Sequence, residues 1–224
     1  MKLSFLPNGN CVILPNINGR GYGFFKITEG ESSGLWSVLR LSEDEVLKGS
    51  LLITLYENLR WKTISPQGFR DEMLAYLPNE SNSLLFSMAL SYLGDCQRIF
   101  PSDSRPLEQV LWKIVTTNPV SQHRLQAFRL YRSIADSEEA VQRLYTLWQE
   151  RKAPKDCALS ESDYIGLSYI LAIHLPEKAD KIIATQLSRI QNPDRKKEYQ
   201  FISPSVSPRK AERDSVFASL LIAG

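Results

Sequence analysis

Residues 42–59, SEDEVLKGSLLITLYENL, decide the fold class. Leu47, Leu51, Leu55 and Leu59 recur at four-residue steps and so share one face of an α-helix. Ser42-Glu43-Asp44-Glu45 reads as an S-x-x-E capping box, and its acids suit the positive end of the helix dipole. The stretch is therefore an amphipathic helix with an explicit start.

The same grammar continues toward the C-terminus. Ser65-Pro66 opens a helix carrying Phe69, Met73 and Leu77, stopped by Pro78. Leu84/Leu85, Met88/Ala89 and Tyr92 carry the next, ended by Gly94. Leu107, Val110/Leu111 and Ile114 follow, closed by Asn118-Pro119. Then come Leu125, Phe128 and Tyr131/Ile134, and Val141, Leu144/Tyr145 and Trp148. After the polar loop Arg151–Asp156, Ser160-Glu161-Ser162-Asp163 opens Ile165, Ser168 and Leu171, closed by Pro176. Ala179, Ile182/Ile183, Gln186/Leu187 and Ile190 form another, closed by Asn192-Pro193. Ser207-Pro208 starts the last, with Ala211, Val216/Phe217 and Leu220. The pattern predicts eight or nine helices of about 12–18 residues. Short loops make successive helices antiparallel neighbours. No regular repeat is present, so the expected architecture is mainly α. It is an irregular HEAT-like α-solenoid, a right-handed superhelix of antiparallel helix pairs.

Toward the N-terminus the period changes. Cys11–Leu14 (CVIL) is a β-branched run, Asn16–Gly21 is turn chemistry, and Gly21–Ile27 resumes as an aromatic, β-branched run. This predicts a short β-hairpin in residues 1–30, ahead of a helical domain over 31–224.

The chain has 224 residues, with 27 Lys+Arg against 25 Asp+Glu. Near-balanced charge excludes a dedicated nucleic-acid binder. Cys11, Cys96 and Cys157 are odd in number, far apart and without a CxxC, and read as reduced thiols. Leu3–Leu6 is too short for a signal peptide, and Tyr164–Leu175 is too short to span a bilayer. A soluble chain, cytoplasmic or periplasmic, is expected.

The chemistry-bearing residues are few. His123 and His174 are the only histidines, lie far apart and form no H-E-x-x-H. His123 reads as a surface residue and His174 as a helix C-terminal one favoured by the dipole. There is no G-x-S-x-G. Gly19-Arg20-Gly21-Tyr22-Gly23 reads as a hairpin turn, since a strand rather than a phosphate-binding helix follows. The densest basic region is Arg195-Lys196-Lys197 with Arg209, Lys210 and Arg213. It reads as a solvated face, or as an edge gripping a peptide carboxylate, with Arg195 and Arg213 the candidate substrate-binding residues. Trp61, Trp112 and Trp148 read as core.

Val12-Ile13-Leu14-Pro15-Asn16-Ile17-Asn18-Gly19-Arg20-Gly21-Tyr22-Gly23 resembles the N-x-x-G-x-G-Y segment of the aminopeptidase N family of zinc aminopeptidases. Lys48–Leu59 resembles the first helix of that family's C-terminal helical domain. Asn192–Arg195, Phe201–Pro208 and Arg213–Leu220 resemble segments of its bacterial branch. The resemblance implies that residues 1–30 are the remnant of a β-sandwich domain. It further implies that the helices form a non-catalytic lid over the substrate cavity of a larger zinc-dependent hydrolase. The parent's zinc ligands and catalytic groups have no counterpart here, so this chain is expected to carry no catalytic or metal residue. The implied partners are the parent's catalytic domain and a peptide substrate. The competing expectation is a free-standing α-solenoid interaction module.

Overall fold

The computed structural model describes residues 2–5, 11–14, 16, 21 and 23–222. Among them are two short strands, β1 (Lys2–Phe5) and β2 (Cys11–Leu14), and eleven α-helices. The helices are α1 (Glu29–Leu41), α2 (Glu45–Arg60), α3 (Pro66–Tyr76), α4 (Ser83–Ile99), α5 (Arg105–Thr117) and α6 (Ser121–Ile134). They continue with α7 (Glu138–Glu150), α8 (Glu161–His174), α9 (Ala179–Arg189), α10 (Pro193–Ile202) and α11 (Lys210–Ile222). Single 3-10 turns follow α3, α8 and α10. The protein is mainly helical, and no helix among the described residues is long and apolar enough to cross a membrane.

Most of the predicted stripes become the core, whereas the last, Ala211, Val216/Phe217 and Leu220, is exposed or only half-buried because nothing described packs over it. Leu51, Leu55 and Leu59 are fully buried with Phe69, Met73, Leu111, Phe128, Tyr131, Leu144 and Leu171. Caps set the helix starts. Asp44, Ser65, Asn82, Ser137, Ser160 and Asn192 each accept a backbone N–H of the first turn. Packing is between near neighbours: α1 on α2, α3 on α4, α5 on α6, α7 on α8 and α8 on α9. In addition α2 packs on α4, α4 on α6, and α6 on α8.

Several expectations are corrected. β2 pairs antiparallel with β1, Leu3 opposite Ile13, and not with Gly21–Ile27. Residues 24–28 are extended but join no ladder, because α2 takes their hydrogen bonds. The fully buried Asn58 accepts from Ile27 N at 2.9 Å and donates to Phe25 O at 2.8 Å. It also donates to Thr54 O at 2.8 Å and accepts from Thr63 Oγ1 at 2.6 Å, so its carboxamide is saturated. A single side chain thus stands in for a partner strand.

The start of α2 is capped by Asp44, at 3.0 and 3.1 Å from Val46 N and Leu47 N, rather than by Ser42. Ser42 instead ends α1. That helix was unanticipated at its start, where Thr28 and Glu31 form a capping box. Gly94 does not end α4 but lies inside it. A Cβ there would meet Leu130 Cδ1 at 2.9 Å, so the glycine allows α4 and α6 to approach. The helix α10 was also unanticipated, since it buries only Tyr199 and shows no apolar stripe.

Asn58→Leu should cost about 3 kcal/mol, because it strands the buried Ile27 N–H and the Phe25 carbonyl. Urea denaturation measures this. A loss under about 1 kcal/mol would mean that residues 25–27 are held by something other than Asn58.

Candidate binding groove

Among the described residues a groove of about 920 Å3 lies between α2, the first turns of α4 and residues 23–25. It exists because α2 is apolar on two faces. Leu51, Leu55 and Leu59 face the core, while Val46 and Ile53 lie off that stripe and are exposed. Leu84, 71% exposed at the start of α4, and Phe24 supply the facing wall, with Leu85 and Met88 below. Phe24 is braced by Trp61, with ring centroids 5.6 Å apart. Trp61 is therefore exposed rather than core, since it sits just past the last turn of α2. Trp148 is buried as expected, and Trp112 is half-buried against the core.

The side-chain hydroxyls and amide oxygens of the groove are already engaged. Ser50 donates to Asn16 O, and Thr54 donates to Ser50 O at 2.9 Å. Asn58 is saturated, and Asn82 Oδ1 accepts from Leu84 N and Leu85 N at 2.9 and 3.0 Å. Only carboxylates supply charge: Glu45 and Glu57 are among the lining residues, and no described lining residue is Lys, Arg or His. Such a surface binds by apolar contact and favours cations at its ends. It presents no acid–base pair or nucleophile to a bound molecule. Sequence reading did not single out this groove, although Val46 and Ile53 were visible as apolar residues off the leucine stripe.

The expected site residues lie elsewhere. Arg195, in the first turn of α10, pairs with Glu161 at 3.3 Å. Arg213, in α11, donates to Ser207 O at 2.7 Å. Neither lines the groove. In the same basic region Arg209 is held by Asp180 and Glu212, and Lys210 by Asp214.

His123 is corrected from a surface to a core residue. It is fully buried, stacked on Phe86 with centroids 4.0 Å apart, and Nε2 lies 2.9 Å from Ser83 Oγ. Nδ1 has no partner, and burial holds the imidazole below its ordinary 6.5 despite the nearby Glu80. His174 is the last residue of α8, 4.0 Å from Asp136. Cys96 and Cys157 are free, buried thiols pushed up by burial, and the Cys11 side chain lies outside the described residues. Among the described residues no three His, Cys, Asp or Glu side chains group so as to hold a metal ion.

Comparison with protein-family models, with characterised proteins and with solved structures finds no match to this chain.

Two further carboxylates, Glu80 and Glu108, are buried. Burial raises Glu80, but Lys48, the Tyr76 hydroxyl and Asn82 N together hold it below its ordinary 4.5. Burial likewise raises Glu108, and Ser137, Asp136 N and Ser104 outweigh it. Their stabilisation is present above the unfolded value and is lost as pH falls through the folded one. His123 is also depressed, so the unfolded chain takes up a proton near pH 6.5 that the folded chain resists. Stability should therefore decline in two windows on acidification, one opening near pH 6.5 and the other near pH 4.5. His123→Phe keeps the stack on Phe86 and should flatten the first window only, as read by thermal melts across pH.

Proposed function

We propose that this chain is a non-catalytic docking domain, an irregular HEAT-like α-solenoid whose groove receives a polypeptide segment. One observation carries this reading. The groove is mostly apolar, and its side-chain hydroxyls and amide oxygens already have partners within the fold. The succession α2–α4–α6–α8, each packed on the next, supports the solenoid.

The resemblance to the aminopeptidase N family refines the partner. On that reading the chain is the helical lid of a zinc aminopeptidase, and the docked polypeptide belongs to the catalytic part or to the substrate. Zinc then belongs to the catalytic part. A specific contact favours this: two of the five stretches that carry the resemblance meet in space. Asn16 accepts the Ser50 hydroxyl through its carbonyl, and its side chain accepts Gly21 N at 2.6 Å. A Cβ at Gly21 would lie 2.8 Å from Asn16 Oδ1, so a larger residue there would displace the Asn16 side chain. The alternative is a free-standing interaction module with an unrelated protein in the groove.

The test is co-purification of the tagged chain with the H-E-x-x-H-bearing segment encoded upstream in the same genome. Co-elution that is lost in Ile53→Glu supports the lid. A complex formed equally well by Ile53→Glu places the contact outside the groove and overturns the docking reading. The purified chain alone should bind no stoichiometric zinc and cleave no aminoacyl p-nitroanilide. Zinc-dependent turnover by metal-analysed protein would overturn a non-catalytic role.

Groove shape is separately testable at Gly49, where an added Cβ would meet Leu85 Cδ2 at an ordinary 3.6 Å. Gly49→Ala should stabilise α2 by up to about 1 kcal/mol in urea denaturation. Gly49→Phe should fill the groove and abolish docking while the circular dichroism spectrum is retained.

A further inference from the structure

Two surfaces of this chain complement each other. The groove follows α2 from Glu45 to Glu57, about 18 Å at the helical rise. It is apolar in the middle, at Ile53 and Leu84, with a carboxylate toward each end. The second surface is α11. One side of this helix faces the body of the fold, where Glu212 and Val216 are half-buried. Just ahead of it, Arg209 reaches Asp180 of α9 at 2.8 Å. The adjoining face, about 100° round the helix, carries Lys210, Arg213, Phe217 and Leu220, spaced by three, four and three residues. Phe217 and Leu220 are 66% and 55% exposed. The stripe runs about 15 Å, cationic at its start and apolar at its end.

We propose that the α11 stripe of one copy of this chain enters the groove of the next, so that the protein associates head to tail. The inference rests on the docking reading of the groove and names its occupant. The lengths are similar, the apolar residues of the stripe meet the apolar middle of the groove, and Lys210 and Arg213 approach the glutamate at one end of it. Their present partners, Asp214 and the Ser207 carbonyl, belong to the same helix or the turn before it and travel with them. No described lining residue of the groove is cationic, so nothing there repels the stripe. This is helix-in-groove recognition, with burial of apolar area as the drive and charge attraction at one end as a supplement. The two surfaces lie on different parts of the chain, so the contact is heterologous. Each added copy leaves one groove and one α11 free.

Sedimentation velocity of the full chain from about 1 μM to several hundred μM tests this. The weight-average mass should rise steadily with concentration and fall with added salt. Phe217→Glu and Ile53→Glu change exposed residues, and circular dichroism checks their folds. Each alone should be monomeric. An equimolar mixture should give dimers and nothing larger, because one variant keeps its groove and the other its stripe.

A wild type monomeric throughout the range overturns the proposal. So does association that Phe217→Glu abolishes and Ile53→Glu leaves intact, which would mean that α11 pairs with itself. A monomeric wild type that still docks the catalytic segment removes self-association and leaves the groove reading standing. Failure of both experiments removes the two together.

Discussion

A chain that turns sharply between helices must satisfy the backbone groups exposed at each turn, and here buried side chains do so. Asn58 of α2 holds residues 25–27. Glu80, after α3, receives Asn82 N at 2.7 Å at the entry to α4 and is neutralised by Lys48 of α2. Glu108 of α5 receives Asp136 N and Ser137 N at 2.8 and 3.1 Å, where α6 gives way to α7. Asp163 of α8 receives Ser160 N at 3.0 Å and pairs with Arg129 of α6 at 2.9 Å. All four side chains are buried. Buried polar groups of this kind cost stability when unpaired and fix geometry when saturated. Each therefore sets where one helix stands relative to the next.

The groove follows from the same constraint. Asn58 draws the extended residues 23–27 along α2, so that Phe24 stands opposite Ile53 instead of continuing a sheet. Asn82, placed by Glu80, starts α4 where Leu84 projects beside Val46 and Ile53. Two buried polar side chains thus position the walls of a surface that is itself apolar. The carboxylates of Glu45 and Glu57 are the only charges of its described lining.

Much of the helical frame was legible in the sequence because its signals are local. Ser65-Pro66, Asn118-Pro119 and Ser160–Asp163 mark helix ends where the structure has them. What was illegible depends on distant partners. The run Gly21–Ile27 has strand composition, yet its hydrogen bonds go to Asn58, more than thirty residues away. Gly94 looks like a stop, but Leu130 of α6 explains it. His123 has no local sign of burial, which comes from Phe86 and Ser83 forty residues earlier. The helix α10 lacks a stripe because Tyr199 alone reaches the interior, hydrogen-bonded to Ser168 at 2.9 Å. The groove was half legible: Val46 and Ile53 were off the leucine stripe, but their facing wall is a product of tertiary folding.

The near-neighbour packing of the helices also bears on how the protein comes apart. The substantial contacts link elements close in order, and little ties the last two helices to the first half of the chain. Cooperativity in such an arrangement is a chain of couplings rather than a single all-or-none event. The α10–α11 end, with few buried side chains, can open while α2 to α8 stay closed. Amide exchange would then be graded along the sequence, fastest at the C-terminal helices and slowest around Leu51 and Phe128. The chain would behave less as one cooperative block than as a zip with a loose end.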